Sequence, residues 1–315
     1  MHENFRYLDN LVHSGEKTVV LNSDIVLDES EESEYLNGIS LDVEGLTIEA
    51  NGHTIDACGK SRIFYCTAGV KIRNAVLKNG LGAIYNFKGV LSISKSTLIS
   101  NTADVVGGAV YNNWGELNID DSILKDNASE CHGGAIFNVN GSVNIKNSDL
   151  SGNSSKNDGG AIFNGGKLSI DNSTISQNTA NGSGGAIYDN RGEINIKQSK
   201  LSHNVSNGIF GGGAIHKNRG TLNMADSTLS GNIADMDGGA IFSIDGELDI
   251  FQSILSKNVS GGNGGAIYDW GILNMENSRL CDNVAKNDGG AIFTKNKKEL
   301  NLNNCIFKDN LPNDE

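Results

Sequence analysis

Acidic side chains at recurring positions are the first candidates for chemistry in this sequence. Asp158, Asp237 and Asp288 each stand immediately before a Gly-Gly pair. Enzymes that cleave glycosidic bonds place two carboxyl groups on either side of one bond. These aspartates are at least two units of the repeat described below apart, too far to cooperate. We therefore predict no catalytic residue, and we also predict no metal site and no cofactor.

A second set of residues is suited to recognition. Trp114, Arg191 and Arg219 share one position of the repeat, each is followed by glycine, and Trp270 stands at roughly the same place. Aromatic and guanidinium side chains on an exposed turn are suited to stacking on sugars and to protein contacts. The alternative is that these residues are only sequence variation of the repeat on a solvated turn and have no binding role.

One repeat unit is longer than the others, because it carries two extra residues around 207–211. His216 follows this insertion at a position that is otherwise aromatic, and Lys217 comes next. Positions that break the local pattern are where function is sought first. The predicted binding residues are therefore Trp114, Arg191, His216, Lys217, Arg219 and Trp270.

The elements that must position these side chains are set by a repeat. Gly-Gly-Ala-Ile followed by an aromatic appears weakly at 81–85 and then returns at intervals of 25 to 28 residues. A Leu-polar-Ile triplet and an aliphatic residue followed three positions later by Asn keep the same period. Each unit therefore predicts three short strands separated by turns. Units of this length cannot bury an apolar face alone, so they must stack.

Stacking brings equal positions of successive units together. We expect the Ile of the phrase to point inward, which places Ala135 and Phe137 and their equivalents on the outer face. The opposite arrangement, with aromatics inside, stays open at this point because the outward one exposes much apolar surface. The Asn column predicts a ladder of side-chain amides. Its members are Asn127, Asn153, Asn178, Asn204, Asn232, Asn258, Asn283 and Asn310.

The predicted fold is all-β, a single-stranded right-handed parallel β-helix with three-strand rungs of about 26 residues and a short N-terminal capping helix. Apolar residues at helical spacing within 1–16 predict the cap, which would cover the open edge of the first rung. We expect initial rungs over 17–80, the regular repeat of the same β-helix over 81–311, and a tail over 312–315. The last rung looks uncapped, which predicts end-to-end self-association or a continuation.

Composition excludes several classes of function. A formal net charge of −13 and a pI near 4.9 disfavour nucleic acid as a partner. No apolar run reaches the length of a transmembrane helix. The first residues lack the features of a signal peptide, which leaves either a cytoplasmic chain or a fragment without its export signal. The five cysteines form no zinc spacing, and a bond between Cys58 and Cys66 stays open beside free thiols.

The Gly-Gly-Ala-Ile phrase alternating with aliphatic-x-x-Asn resembles the repeat of chlamydial polymorphic outer-membrane proteins, which are right-handed β-helical autotransporter passengers and adhesins. Ahead of these repeats, the segments Glu49-Ala50-Asn51-Gly52-His53-Thr54-Ile55-Asp56 and Ser61-Arg62-Ile63-Phe64 are more similar to adhesin-like β-helix proteins of methanogenic archaea. Both groups lie within the pectate-lyase-like β-helix class. The resemblance covers about 17–311 and implies a cell-surface or extracellular location.

The resemblance is specific for fold and weak for activity, because one solenoid hosts many functions. The leading expectation is a non-enzymatic, adhesin-like rod that presents a repetitive face to an extracellular glycan or protein. The alternatives are a polysaccharide lyase or glycoside hydrolase of the same class, and a purely structural rod or fragment.

Overall fold

The computed structural model describes residues 2–295 and 299–312, which form a parallel β-solenoid of about 12 turns. Successive units lie on top of each other with equal positions paired: Ile136 pairs with Ile162, and Ile162 with Ile187. The stacked, all-β arrangement predicted from the repeat is therefore confirmed.

Strands of the described residues belong to three parallel sheets. The strands of the wide sheet are Thr18–Val20, Ile39–Leu41, Leu46–Glu49, Phe64–Cys66, Gly69–Arg73, Ile84–Phe87, Val90–Ser94, Val110–Asn113, Glu116–Asp120, Ile136–Lys146, Ile162–Asp171, Ile187–Asn190, Glu193–Lys197, Ile215–Ala225, Ile241–Phe251, Ile267–Asp269, Ile272–Glu276, Ile292–Thr294 and Leu300–Asn303. The strands of the middle sheet are His2–Glu3, Asp24–Val26, Thr54–Asp56, Val76–Lys78, Thr97–Ile99, Ile123–Lys125, Asp149–Ser151, Thr174–Ser176, Lys200–Ser202, Thr228–Ser230, Ile254–Ser256, Arg279–Cys281 and Ile306–Lys308. The strands of the narrow sheet are Thr102–Ala103, Ala128–Ser129, Ser154–Ser155, Thr179–Ala180, Val205–Ser206, Ile233–Ala234, Val259–Ser260 and Val284–Ala285.

The predicted strands are distributed over these sheets in a way that the sequence did not show. The strand that begins at the phrase Ile and the Leu-polar-Ile strand both belong to the wide sheet, and in Ile136–Lys146 they run as one strand. The third predicted strand forms the middle sheet. The two-residue strands of the narrow sheet follow the Asn column and were not predicted separately.

The core is built from the inward columns of the wide and middle sheets. Ile136, Val143 and Leu150 of one unit are fully buried, as are their equivalents along the rod. The phrase Ile therefore points inward, as expected. Burying a side chain of this size contributes roughly 1.5–3 kcal/mol, so every turn adds apolar contact to both of its neighbours.

The alanine of the phrase departs from the prediction, because Ala135 is also fully buried and belongs to the core. The backbone N–H groups of Ala135 and Ile136 both donate to the carbonyl of Ala161, at 2.9 Å each. Two successive N–H groups that share one acceptor interrupt the alternation of a strand. Ala and Ile therefore both face the core at this corner, and the prediction of an outer-face alanine was wrong.

The aromatic column points away from the core and forms a continuous row of contacting rings along the rod, most of them stacked. Neighbouring ring centroids from Tyr65 to Phe293 lie 4.6 to 5.4 Å apart. The column is only half-buried at Phe137 but almost fully buried at Phe242, because neighbouring turns cover it. His132 packs on Phe163, and Phe210 packs on Phe242. The cost of an exposed apolar stripe is reduced in this way.

The predicted amide ladder is present and begins one unit earlier than expected. Each Asn Nδ2 donates to the Oδ1 of the next Asn at 2.9 to 3.0 Å, and the backbone N–H of each residue donates to the same oxygen. We call this column the long Asn ladder; it comprises Asn101, Asn127, Asn153, Asn178, Asn204, Asn232, Asn258, Asn283 and Asn310.

The N-terminal helix α1, Phe5–Val12, covers the first rung as predicted. Its side chains Phe5, Leu8 and Val12 face the rung and are fully buried. Asn4 caps the helix by accepting the N–H of Tyr7 at 3.0 Å. The carboxylate of Glu31, from the short 3₁₀ helix Glu29–Glu31, accepts the N–H groups of Phe5 and Arg6. An acid at a helix N-terminus is favourable, so this residue of the acidic run is structural.

At the C-terminal end, two side chains are exposed although they occupy columns whose members are buried in the preceding rungs. Leu302 pairs with Met275 and is 41% exposed, and Phe307 pairs with Leu280 and is 37% exposed. The last described rung therefore presents an apolar face. The predicted tail over 312–315 lies outside the described residues except for Pro312. All five cysteines are free, including Cys58 and Cys66.

Candidate binding surfaces

Four of the six predicted binding residues are exposed along the wide sheet: Trp114, Arg191 and Trp270 lie on turns between its strands, and Arg219 lies at a bend within the strand Ile215–Ala225. Trp114, Arg191 and Arg219 have φ values of 58°, 65° and 62°, the left-handed conformation of a tight turn. Trp270 lies one position earlier in the register, since its N–H donates to the carbonyl of Ser243. A Cβ on Gly115, which follows Trp114, would lie 2.3 Å from Asn86 Nδ2. The turn keeps the same shape from one rung to the next because its glycine approaches buried side-chain amides closely.

Trp114 is the most exposed tryptophan, with 60% of its surface accessible. It lines a groove of about 620 Å³ that also contains Lys88, Glu116, Asn140 and Lys167. No ring-to-ring contact involves Trp114 within residues 2–295 and 299–312. One aromatic face is therefore available beside polar groups that can donate and accept hydrogen bonds.

Trp270 is arranged differently, although it is 41% exposed. The ammonium group of Lys295 lies 3.7 Å from its ring centroid, and the ring of Tyr268 lies 6.4 Å away. A cation over the face of a tryptophan is an attractive contact of about 0.5–1 kcal/mol at an exposed site. A ligand that stacks on this face must first displace Lys295.

Arg191 and Arg219 occupy adjacent rungs, since Asn190 pairs with Asn218. Both are exposed, and Arg219 Nε lies 3.7 Å from Asp245 Oδ2. An ion pair at this exposure is weak. The two guanidinium groups stay accessible to solvent, three and four rungs along the rod from Trp114.

His216 was predicted to bind a ligand, and the structure shows that it is buried. Its ring is 2% exposed and stacks between Tyr188 at 4.6 Å and Phe242 at 4.9 Å. Phe210, from the two-residue insertion, packs on its edge at 6.1 Å. Burial lowers the pKa of His216 to about 4. The insertion thus covers this part of the aromatic column, so the prediction was wrong for His216.

Lys217 was also predicted to bind a ligand, and it has no exposed surface. Its Nζ contacts Asp189 Oδ2 and donates to the carbonyl of Gly192 at 2.7 Å. Burial lowers the pKa of Lys217 and raises the pKa of Asp189. The side chain follows the phrase Ile by two positions, and a strand returns it to the inner face. It is therefore unavailable to a ligand in solution.

Asp189 and Lys217 continue a second column of buried amides, which we call the short Asn ladder: Asn86, Asn112, Asn138 and Asn164. Each of these residues donates its Nδ2 to the next side-chain oxygen, and the last bond, from Asn164 to Asp189 Oδ1, is 2.5 Å long. The sequence analysis missed this ladder. The Asn that follows Tyr111, Phe137 and Phe163 by one position was the available signal.

A concave surface also runs along the wide sheet, and the sequence analysis missed it. It encloses about 940 Å³ and is lined by outward polar residues such as Asn195, Asn223 and Asp249, beside the half-exposed Phe251. Neighbouring amides of this row bond to each other, for example Asn223 Nδ2 to Asn195 Oδ1 at 2.9 Å. The central residue of each Leu-polar-Ile triplet was the signal for it.

Asp158 and Asp237, two of the three aspartates before the Gly-Gly pairs, bond through their carboxylates to the backbone of the neighbouring rung. Asp158 Oδ1 accepts the N–H of Ser183 at 2.8 Å, and Asp237 Oδ1 accepts the N–H of Asn263 at 2.6 Å. His132 Nδ1 lies 3.4 Å from Asp158 Oδ2. These carboxylates therefore hold turns together.

The comparisons with known proteins agree with the repeat. The Chlamydia polymorphic membrane protein (Chlamydia_PMP) repeat matches residues 147–165, 172–190, 226–244 and 252–269. A search of curated proteins and a search of solved structures found no significant match. Among the described residues, no helix has the length and apolar character needed to cross a membrane. The chain is thus a parallel β-helix protein that carries repeats similar to those of the chlamydial polymorphic membrane proteins.

Proposed function

We propose that this chain is a non-enzymatic, adhesin-like surface protein that binds an extracellular glycan in the groove beside Trp114. The observation that carries the proposal is the open face of this ring. A tryptophan is usually mostly buried, and this one stands 60% exposed on a tight turn. A tryptophan side chain has only two rotatable torsions, so it loses little conformational entropy when a flat ligand stacks on its ring.

The polar groups of the groove favour a glycan. Asn140, Ser142 and Glu116 offer donors and acceptors around the ring, which matches the alternating hydroxyl groups of a sugar. Lys88 and Lys167 give the groove more positive than negative side chains, although the whole chain is acidic. This favours sugars that carry a carboxylate. Protein recognition at the same turn is the alternative that the binding experiment must separate.

Two features support binding without cleavage. The carboxylates of Asp158 and Asp237, two of the aspartates that share a repeat position, accept backbone N–H groups of adjacent rungs. A general acid and base must in addition reach the same bond, and these residues are separated along the rod. A location at or outside the cell surface is part of the proposal, and its support is the match to repeats of a membrane-protein family.

A glycan array that includes uronate-containing polymers tests the proposal. The unsubstituted chain should retain one class of glycan without producing new reducing ends. Trp114→Ala should weaken this binding about tenfold or more, the loss typical of a central aromatic contact. Trp270→Ala is the matched control, since Lys295 already covers that ring, and it should leave binding unchanged.

Three outcomes contradict the proposal. New reducing ends would show an enzyme. Equal losses from Trp114→Ala and Trp270→Ala would remove the groove from consideration. Retention of a protein in place of any glycan would assign the turn to protein recognition.

A further inference from the structure

Lys217 and Asp189 meet in a part of the core that excludes water. Both side chains have 0% of their surface exposed, and their Cα atoms are direct partners on neighbouring strands. The lysine Nζ contacts Asp189 Oδ2. A buried ion pair is a costly arrangement, and apolar residues in its place are often at least as stable. The preceding rungs carry the uncharged amide of an asparagine at this position, and the two rungs that follow carry Ser243 and Asp269.

The lysine nitrogen occupies the place of an asparagine amide nitrogen. In the short Asn ladder, Nδ2 of Asn86, Asn112 and Asn138 donates to the carbonyl of the residue three positions later, at 3.0 to 3.2 Å. At Asp189 the equivalent carbonyl is that of Gly192. It accepts from Lys217 Nζ at 2.7 Å. Asp189 supplies the oxygen of the missing amide, and Lys217 supplies its nitrogen.

We propose that Lys217 and Asp189 condense after folding into an intramolecular isopeptide bond, which joins two adjacent rungs covalently. The ladder of amides then continues through position 189 as a secondary amide. Its oxygen still accepts from Asn164, and its single N–H donates to Gly192. Position 217 carries no further side-chain acceptor, so the second N–H of an asparagine would have no partner there.

The reaction is a condensation that needs no oxidant or co-reactant. Within the pair, one proton passes from the ammonium group to the carboxylate, which gives a neutral amine and a carboxylic acid. The Nζ lone pair attacks Asp189 Cγ. The second nitrogen proton moves to Oδ2, the Cγ–Oδ2 bond breaks, and one water molecule leaves. One C–N bond forms and one C–O bond breaks.

Groups already present assist each of these steps. The Asn164 amide donates to Oδ1, where negative charge develops during attack, as the donors of an oxyanion hole do. The N–H of Gly192 donates to the leaving oxygen Oδ2 at 3.0 Å. The carbonyl of Gly192 orients Nζ. Burial shifts the pKa of both partners toward their neutral, reactive forms, and fixed proximity replaces a collision between separate molecules.

The intact mass of the purified, folded full chain tests the proposal. It should lie one water, about 18 Da, below the mass of the sequence. Trypsin should release one linked species made of residues 168–191 and 201–219, because Lys217 is no longer a cleavage site. Lys217→Arg keeps the positive charge but should have the full mass. Asp189→Asn, if it reacts, should lose ammonia, about 17 Da, at the same pair.

The linked peptides must be identified, because Asn-Gly sequences such as Asn140-Gly141 can lose ammonia and so also lower the mass of the chain. The peptide map of the unsubstituted chain therefore decides even where a variant fails to fold. Separate, unlinked tryptic peptides ending at Arg191 and Lys217 from folded protein would overturn the proposal. So would a mass loss that persists unchanged in Lys217→Arg.

Discussion

Removing one amide from the middle of the long Asn ladder should destabilise the whole rod. Asn178 is fully buried. Its Nδ2 donates to the carbonyl of Leu150 and to Asn204 Oδ1, both at 3.0 Å. Its Oδ1 accepts the N–H and the Nδ2 of Asn153, both at 2.9 Å. Asn178→Ala therefore removes four hydrogen bonds and leaves a backbone donor and a backbone carbonyl without these partners.

The magnitude follows from these bonds. A buried hydrogen bond contributes about 0.5–1.5 kcal/mol, and an orphaned buried group costs about 1–3 kcal/mol. We therefore expect Asn178→Ala to lower the free energy of unfolding by about 4 kcal/mol. Asn195→Ala is the matched control on the outer face of a neighbouring strand. That amide is half-buried and bonds to the side chains of Glu193 and Asn223, so water replaces these partners and the loss should be below about 1 kcal/mol.

Urea unfolding followed by circular dichroism and by tryptophan fluorescence measures both losses. Repeat proteins can unfold in sections, so the two probes must coincide before the free energies are compared. Trp114 and Trp270 report from opposite sides of the substituted rung. Equal destabilisation by Asn178→Ala and Asn195→Ala would refute the view that burial, rather than the amide itself, gives the ladder its strength.

Three further predictions concern the buried charges and the last rung. Lys217→Met leaves the Asp189 carboxylate buried without a partner, so in urea unfolding this variant should be about 3–5 kcal/mol less stable than the double variant Lys217→Asn with Asp189→Asn, which extends the short ladder with neutral amides; neither variant can form the proposed cross-link. His216 has a folded pKa near 4 against about 6.5 when unfolded. The unfolded chain thus binds its proton first, and about 3 kcal/mol of stability present above pH 6.5 should be lost as the pH falls to 4; His216→Phe should remove this component, and an unchanged pH profile would contradict the burial. The apolar face of the last rung should associate with a second copy, so light scattering should find dimers that Phe307→Lys abolishes. An unsubstituted chain that stays monomeric at all concentrations would refute this association.

The two amide ladders explain how a thin solenoid tolerates so many buried polar groups. Each asparagine offers two donors and one oxygen, and the neighbouring rungs present complementary groups at the same spacing. Because every internal member of the long Asn ladder has the same partners, that polar column is satisfied along the rod. In the column of the short Asn ladder, the asparagines end at Asn164, and the next two positions carry an acid and a base, Asp189 and Lys217.

The binding residues were only partly predictable from the sequence. Trp114, Arg191 and Arg219 lie on exposed turns as expected, because a following glycine marks such a turn. His216 and Lys217 could not be placed in this way. Their burial depends on Phe210 from the insertion and on Asp189 from the previous rung. Contacts between units decide these positions, and no pattern within one unit shows them.

The sequence by itself determined the period, the stacking of equal positions, the inward Ile column and the long Asn ladder. These features follow from residue types that recur at one spacing, since each unit meets a near copy of itself. The tertiary structure alone decided which turns cover the aromatic column, where Ala135 points, and how Glu31 caps α1. Those outcomes depend on which groups approach across rungs, and that distance is fixed only when the whole rod is assembled.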